Sequence, residues 1–226
     1  MEQNGQDHLE ALGRYALRFA RPGDVIGLGT GRAASAFINA LGASLIQVRG
    51  VPTSRASEDL GRSLGIEVVS LADAPKIDTD FDGADEVDPR LNLIKGYGGA
   101  LVREKIVAAS SRRFIVLVGE EKLVKRLGAR GTLPVEVVPF GVPLAARKIA
   151  ALGLKPKVRQ QDGIDFVTDN GNLILDCGVK DIRNPARLDR ELLSIPGVVG
   201  TGLFVGMASM VLVARSSGKI ETLRPR

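Results

Sequence analysis

Apolar positions along the chain alternate between two rhythms. Between residues 7 and 20 they recur at Leu9, Leu12, Ala16 and Phe19, the spacing of an amphipathic helix, and Arg21-Pro22-Gly23-Asp24 ends it. Val25-Ile26-Gly27-Leu28-Gly29 is a short apolar run that predicts a buried strand, with a helix over 33–41 behind it. The alternation continues with a strand at 45–51, a helix at 57–64, and strands at 66–70 and 77–81. A helix over 99–110 and a strand at 114–118 follow. Short buried strands interleaved with helices predict a parallel, doubly wound α/β sheet, with its ligand at the carboxyl ends of the strands.

After residue 128 the rhythm changes. A strand is expected at 133–138, a helix at 144–152, and a hairpin over 166–175 with Asn170-Gly171 at its tip, a pair that tolerates the positive φ of a tight turn. A helix at 185–194 and a strand at 198–205 complete a small α+β lobe. Apolar stretches at 210–215 and 220–223 return to the main sheet. The expected domains are therefore 1–128 plus 206–226, and 129–205. There is no internal repeat and no low-complexity linker.

Composition narrows the chemistry. Hydrophobic residues make up 44% and charged residues 25%, an ordinary globular balance. No apolar run approaches the roughly 20 residues a membrane helix needs. The N-terminal segment lacks the apolar core of a secretory signal, so the expectation is a cytoplasmic protein with no membrane partner. Cys177 and His8 stand alone in their residue types. An internal disulfide is thereby excluded, a zinc site or a Ser/His/Asp triad has almost nothing to work with, and proton transfer is expected to rest on carboxylates and lysines. The net charge of +5 suits an anionic small substrate as well as a nucleic acid. Seven Phe, two Tyr and no Trp make no evident base-stacking platform, so no nucleic-acid partner is expected.

Three segments offer chemistry. Gly27-Leu28-Gly29-Thr30-Gly31-Arg32 lies at a strand-to-helix turn, where backbone amides can cradle a phosphate or sugar; the plainer reading is a tight turn. It is no Walker loop, and Ala34 stands where a dinucleotide fingerprint has its third glycine. Asp82-Gly83-Ala84-Asp85-Glu86 crowds three carboxylates at the ligand edge of the sheet, which raises at least one pKa if they face one another; otherwise it is a solvated acidic turn. Lys95-Gly96-Tyr97-Gly98-Gly99 offers amides and a cation to an oxyanion. On the helix behind it Leu101, Val102, Ile106 and Ala109 form the expected apolar arc, with Lys105 pointing into it and Glu104 at its edge, partly desolvated as a general base requires. The alternative is a snorkelling lysine beside an ordinary ion pair. Lys122, after the strand at 114–118, would reach the same edge of the sheet or be simple surface charge. Cys177 has no activating histidine and reads as a small buried apolar residue.

Together these segments resemble the ribose-5-phosphate isomerase A family. Its pattern, Gly-x-Gly-Thr-Gly-Ser-Thr, Asp-Gly-Ala-Asp-Glu, then Lys-Gly-Gly-Gly running into Arg-Glu-Lys, reads here GLGTGRA (27–33), DGADE (82–86) and KGYGGALVREK (95–105). LPVEVVP (133–139), VTDNGNLILD (167–176) and IPGVVGTGLF (195–204) extend the likeness. The resemblance implies a Rossmann-like main domain, a ferredoxin-like lobe, a homodimer or higher homo-oligomer, and an open-chain phosphosugar substrate handled without metal or organic cofactor. It implies that Glu104 is the base between the first two carbons and that Lys95 stabilises the enediolate. Asp82 and Asp85 would hold hydroxyls and aid ring opening and oxygen protonation. Thr30, Gly31, Arg32, Ala33, Gly83, Ala84, Gly96, Tyr97, Gly98 and Lys122 would line the substrate, with the phosphate's own partner left open. Arg32 and Ala33 replace the usual Ser and Thr, and Tyr97 replaces a glycine, which is safe only where no positive φ is needed.

Three other readings stand beside this one: an isomerase of another phosphosugar, a sugar-sensing regulator, and a non-catalytic assembly protein on the same fold. The segment before Val25 is too short for the helix-turn-helix a regulator would carry, which weighs against the second.

Overall fold

The structure, a computed structural model, describes residues 2–74 and 76–225. The chain divides into two compact units, Met1–Ala84 with Arg103–Leu123 and Met207–Arg226, and Asp85–Val102 with Val124–Gly206. The segment Asp85–Val102, which the expected boundaries put in the first domain, thus belongs to the second unit.

The first unit is built on a seven-stranded sheet. Its order is Glu67–Val68, Arg49–Pro52, Val25–Leu28, Thr79–Gly83, Phe114–Gly119, Met210–Ala214, Ile220–Leu223. Only the last strand is antiparallel to its neighbour. The chain builds outward from Val25–Leu28 on one side, then crosses back to place Thr79–Gly83 on the other. The carboxyl ends of these two strands therefore form the topological switch point, where open α/β sheets bind ligands.

Buried strands make this sheet possible. Along Val25–Leu28, Ile26 and Leu28 pack with Leu12, Phe37, Phe81 and Leu212 on one face, while Val25 packs with Val51, Ile77 and Val107 on the other. Phe37 stacks on Phe81 with ring centroids 4.0 Å apart. The helices Glu2–Ala16 and Arg32–Gly42 cover the first face. They cross closely because Gly13 lies against the Ala36 backbone, where a Cβ would come within 2.5 Å of the Ala36 carbonyl oxygen. The strand expected at 45–51 starts only at Arg49. Ser44 delays it: its hydroxyl donates to the Leu41 carbonyl and accepts the Ile46 N–H, a local turn that competes with the ladder.

The second unit holds a four-stranded antiparallel sheet in the order Val198–Thr201, Thr132–Val137, Leu173–Gly178, Lys155–Val158. The helices Val142–Ala151 and Pro185–Leu193 close a core of Leu133, Val135, Ile149, Leu175, Cys177 and Leu192. Glu86–Val87, Leu93–Ile94 and Leu203–Phe204 make a small separate sheet.

The strand expected at 198–205 breaks at Gly202, so its halves serve different sheets. The Gly202 N–H donates to the Pro134 carbonyl at 2.7 Å and its carbonyl accepts the Lys95 N–H at 2.9 Å. A Cβ there would collide with the Lys95 carbonyl oxygen. The turn expected around Asn170-Gly171 forms, with Gly171 at φ 78°, but only Val167 and Leu173 bridge across it. Buried Glu136 gathers it instead, accepting from Thr168 Oγ1, Asn170 Nδ2 and Asn172 Nδ2 at 3.0, 3.2 and 2.9 Å. Among the described residues no helix is long and apolar enough to cross a membrane.

Candidate active site

In the first unit Asp82 and the loop from Thr30 to Arg32 meet at the switch point. Thr79–Gly83 delivers Asp82, fully buried, at its carboxyl end. Asp82 Oδ1 accepts the N–H groups of Thr30 at 3.0 Å and of Gly83 at 2.7 Å, so one carboxylate oxygen ties the two strand ends together. Gly29 must be glycine, because a Cβ would lie within 2.5 Å of Asp82 Cα and Cγ. Gly31, at φ 97°, turns the chain into the helix Arg32–Gly42. Arg32 is its exposed first residue, and Ala33 is half-buried behind it.

The Thr30 hydroxyl meets Thr53 Oγ1 at 2.7 Å and donates to Ser54 Oγ at 2.8 Å. Thr53 is fixed in turn by donating to the Leu28 carbonyl at 3.1 Å. Ser54 caps the helix Arg55–Ser63 in a reciprocal box with Ser57. Thr53 and Ser54 escaped the sequence reading. Their signal was present, two hydroxyl residues directly after a strand at the ligand edge of the sheet, but it marked a helix cap equally well.

Glu104 lies in the first turn of Leu101–Ala109, where the helix N-terminus favours a carboxylate. The arc expected on this helix is corrected. Leu101, Glu104, Val107 and Ala108 are its buried positions, whereas Ile106 and Ala109 are exposed. Glu104 therefore sits in the middle of the inward face, and Lys105 lies outside it. The packing of Val107 among Val25, Val51 and Ile77 sets this phase. Lys122, half-buried, ends the short turn Glu120–Lys122 that follows the strand Phe114–Gly119.

The second unit carries Asp85, Lys95 and the glycine turn. Lys95 is buried, follows the strand Leu93–Ile94, and holds Nζ 5.6 Å from the Phe204 ring centroid. Gly96 and Gly99 take φ of 103° and 87°, while Tyr97 has no positive φ and so replaces a glycine without backbone strain. The Tyr97 N–H donates to Asp85 Oδ2 at 3.0 Å and its hydroxyl to the Thr132 carbonyl at 3.1 Å. Desolvation, then the charges of Glu86 and Asp85, push that hydroxyl well above its ordinary pKa, so it stays a donor.

Within Asp82–Glu86 each carboxylate has backbone donors of its own. Asp82 takes the Thr30 and Gly83 amides and Asp85 takes Tyr97. Glu86, fully buried, accepts from the N–H groups of Gly128 at 2.7 Å and Arg130 at 2.6 Å. Glu86 thus anchors a loop. Sequence reading also missed Arg159, whose guanidinium donates to the carbonyls of Gly96 and Tyr97. Nothing local to residue 159 signals that contact. Among the described residues no group of three or more His, Cys, Asp or Glu side chains converges as a metal site would.

Fold and side chains together define a doubly wound α/β protein with a buried carboxylate, Asp82, at its switch point and a buried lysine before a glycine turn. The sequence profile of ribose 5-phosphate isomerase A (phosphoriboisomerase A) matches residues 49–218, and the chain belongs to that family. It is 50% identical over 217 residues to a ribose-5-phosphate isomerase A of Roseiflexus sp. (strain RS-1), covering 93% of each chain. A ribose 5-phosphate isomerase A structure from Methanocaldococcus jannaschii superposes with a TM-score of 0.91 at 39% identity, covering 96% of this chain and 98% of that one. A D-ribose-5-phosphate isomerase solved in complex with phospho-erythronic acid superposes with a TM-score of 0.93 at 38% identity, with the same coverage.

Proposed function

We propose that this chain interconverts D-ribose 5-phosphate and D-ribulose 5-phosphate through an enediolate, with Glu104 as the base. The observation that carries the reading is Glu104 itself: a buried carboxylate on the inward face of its helix, in a chain of this family. Glu104 takes the proton from C2 of the open-chain aldose and returns it to C1, while the C2 hydroxyl gives up its proton to become the carbonyl and the C1 carbonyl oxygen gains one to become a hydroxyl, an oxygen-to-oxygen transfer that Asp82 and Asp85 assist. Lys95 and an amide of the glycine turn stabilise the oxyanion that forms between these states. Asp82, locked to the Thr30 amide, holds sugar hydroxyls and assists ring opening; Asp85 supports the same steps while ordering the turn through Tyr97.

The loop from Thr30 to Ala33, the segment Gly83-Ala84, the turn Gly96 to Gly98 and Lys122 complete the substrate contacts. Arg32, at the start of its helix, offers a forked cationic grip on an anion in place of two missing hydroxyls, with the phosphate's own partner among this loop and Lys122 left open. The protein acts as a homodimer or higher homo-oligomer in the cytoplasm, without metal or organic cofactor. The test is isomerisation of ribose 5-phosphate in chelator-treated buffer, with phospho-erythronic acid as competitor. Turnover inhibited competitively by the acid is the expected result. No turnover on this sugar, with turnover on another phosphosugar, would reassign the substrate.

A further inference from the structure

The turn Gly96–Gly99 has two positive-φ glycines and one backbone bond of its own, from the Gly99 N–H to the Gly96 carbonyl at 3.1 Å, which leaves the plane between Tyr97 and Gly98 to be held from outside. Arg159 does so. Its Nη1 donates to the Gly96 carbonyl at 2.9 Å and to the Tyr97 carbonyl at 3.1 Å. Its Nε and Nη2 fork onto Asp176 Oδ2 and Oδ1 at 2.9 and 2.6 Å. The guanidinium also lies over Phe166, 5.8 Å from the ring centroid, and Phe166 presses on Gly99 so closely that a Cβ there would collide with it. Asp176 stands on the strand Leu173–Gly178, so the fork is referenced to the four-stranded sheet.

Peptide geometry converts these contacts into a direction. In a trans peptide the carbonyl of one residue and the N–H of the next point to opposite sides. With the Gly96 carbonyl turned to Arg159, the Tyr97 N–H points away from it and meets Asp85. With the Tyr97 carbonyl also turned to Arg159, the Gly98 N–H points away in the same manner, and Gly98 is exposed. We infer that Arg159, held by Asp176, is a positioning residue that aims the Gly98 N–H, and with it the mouth of the turn beside Lys95, at the developing enediolate oxygen. The inference rests on the isomerase reading above. Lysine cannot replace this arginine fully, because one ammonium cannot fork onto a carboxylate and reach two carbonyls at once.

The test compares Arg159→Ala, Arg159→Lys and wild type on ribose 5-phosphate, with thermal unfolding as a check on folding. A misaimed oxyanion donor lowers kcat, so the expected result is a loss of about 10- to 100-fold in kcat for Arg159→Ala with KM nearly constant. Arg159→Lys should recover part of it, and added guanidinium should restore turnover to Arg159→Ala. A folded Arg159→Ala with normal kcat would overturn the inference. So would a rise in KM alone, or activity loss that only follows loss of fold. Amide exchange at Tyr97 gives a reading independent of catalysis. Its protection should fall at least about 10-fold in Arg159→Ala, since the plane that points it at Asp85 is released; unchanged protection would contradict the brace. Wild-type inactivity on every phosphosugar would sink the isomerase reading, leaving the brace to be judged by that exchange.

Discussion

The two units fix their candidate site residues by different means. In the first, Asp82, Gly29 and Thr30 stand at the ends of adjacent parallel strands, and the ladder between Val25–Leu28 and Thr79–Gly83 sets their spacing before any side chain acts. In the second, Lys95 and Tyr97 border a turn that has no ladder, and Arg159, Asp85 and the Tyr97 hydroxyl hold it from three directions. A strand end is rigid because cooperative backbone bonding makes it so. A glycine turn is placed only as well as its braces, which rotate or retreat more easily. The first arrangement links geometry to stability; the second allows geometry to be adjusted at little cost to the fold.

That difference can be broken or sharpened by substitution. Lys95→Met should have the largest effect among these, about 100- to 1,000-fold in kcat, as for loss of an oxyanion donor, with a near-normal unfolding midpoint. A midpoint that falls with the activity would show that Lys95 is structural. Gly29→Ala should lose stability and activity together, by about 1–3 kcal/mol in urea unfolding, because its Cβ has no room beside Asp82. If Gly29→Ala were neutral, the strand ends would be looser than the ladder implies.

Ser54→Ala removes both a helix cap and a partner of the Thr30 hydroxyl, so about 1 kcal/mol of stability should go, with a modest rise in KM. The cap alone predicts the stability loss without the KM change, and kinetics separates the two roles. The smallest effect is chemical. Burial, then the charge of Asp176, pushes the Cys177 thiol up to about 12 from an ordinary 9.0. Its alkylation in the native state should be about a thousand-fold slower than that of a free thiol, and should accelerate only as the second unit opens. Rapid native alkylation would mean that the core around Leu133, Leu175 and Cys177 is not closed.

The same contrast explains what could be read in the chain. Strand and helix alternation was legible from the apolar periodicity, and so were the placements of Asp82 at a strand end and Lys95 before a glycine turn, because each lies in a short segment with its own pattern. The phase of the helix Leu101–Ala109 was misread because Val102 and Ile106 are both apolar. Val102 packs on Gly200 and Ile106 is 46% exposed, a choice made by tertiary neighbours. The break at Gly202 was hidden because an apolar run over 198–205 reads as one strand until two sheets compete for it. Arg159 was invisible for a similar reason: it and the turn it braces are 63 positions apart between Arg159 and Gly96. The backbone donors that each carboxylate of Asp82–Glu86 takes were not legible, because Thr30, Gly128 and Arg130 are distant in the chain.

The most direct test of the central claim is the rate of ribose 5-phosphate isomerisation by Glu104→Gln beside wild type, in metal-free buffer. The substitution keeps size and removes basicity. The account predicts a loss of at least about 100-fold in kcat, with KM and fold retained. Near-normal turnover by the glutamine variant would contradict it and move the base elsewhere.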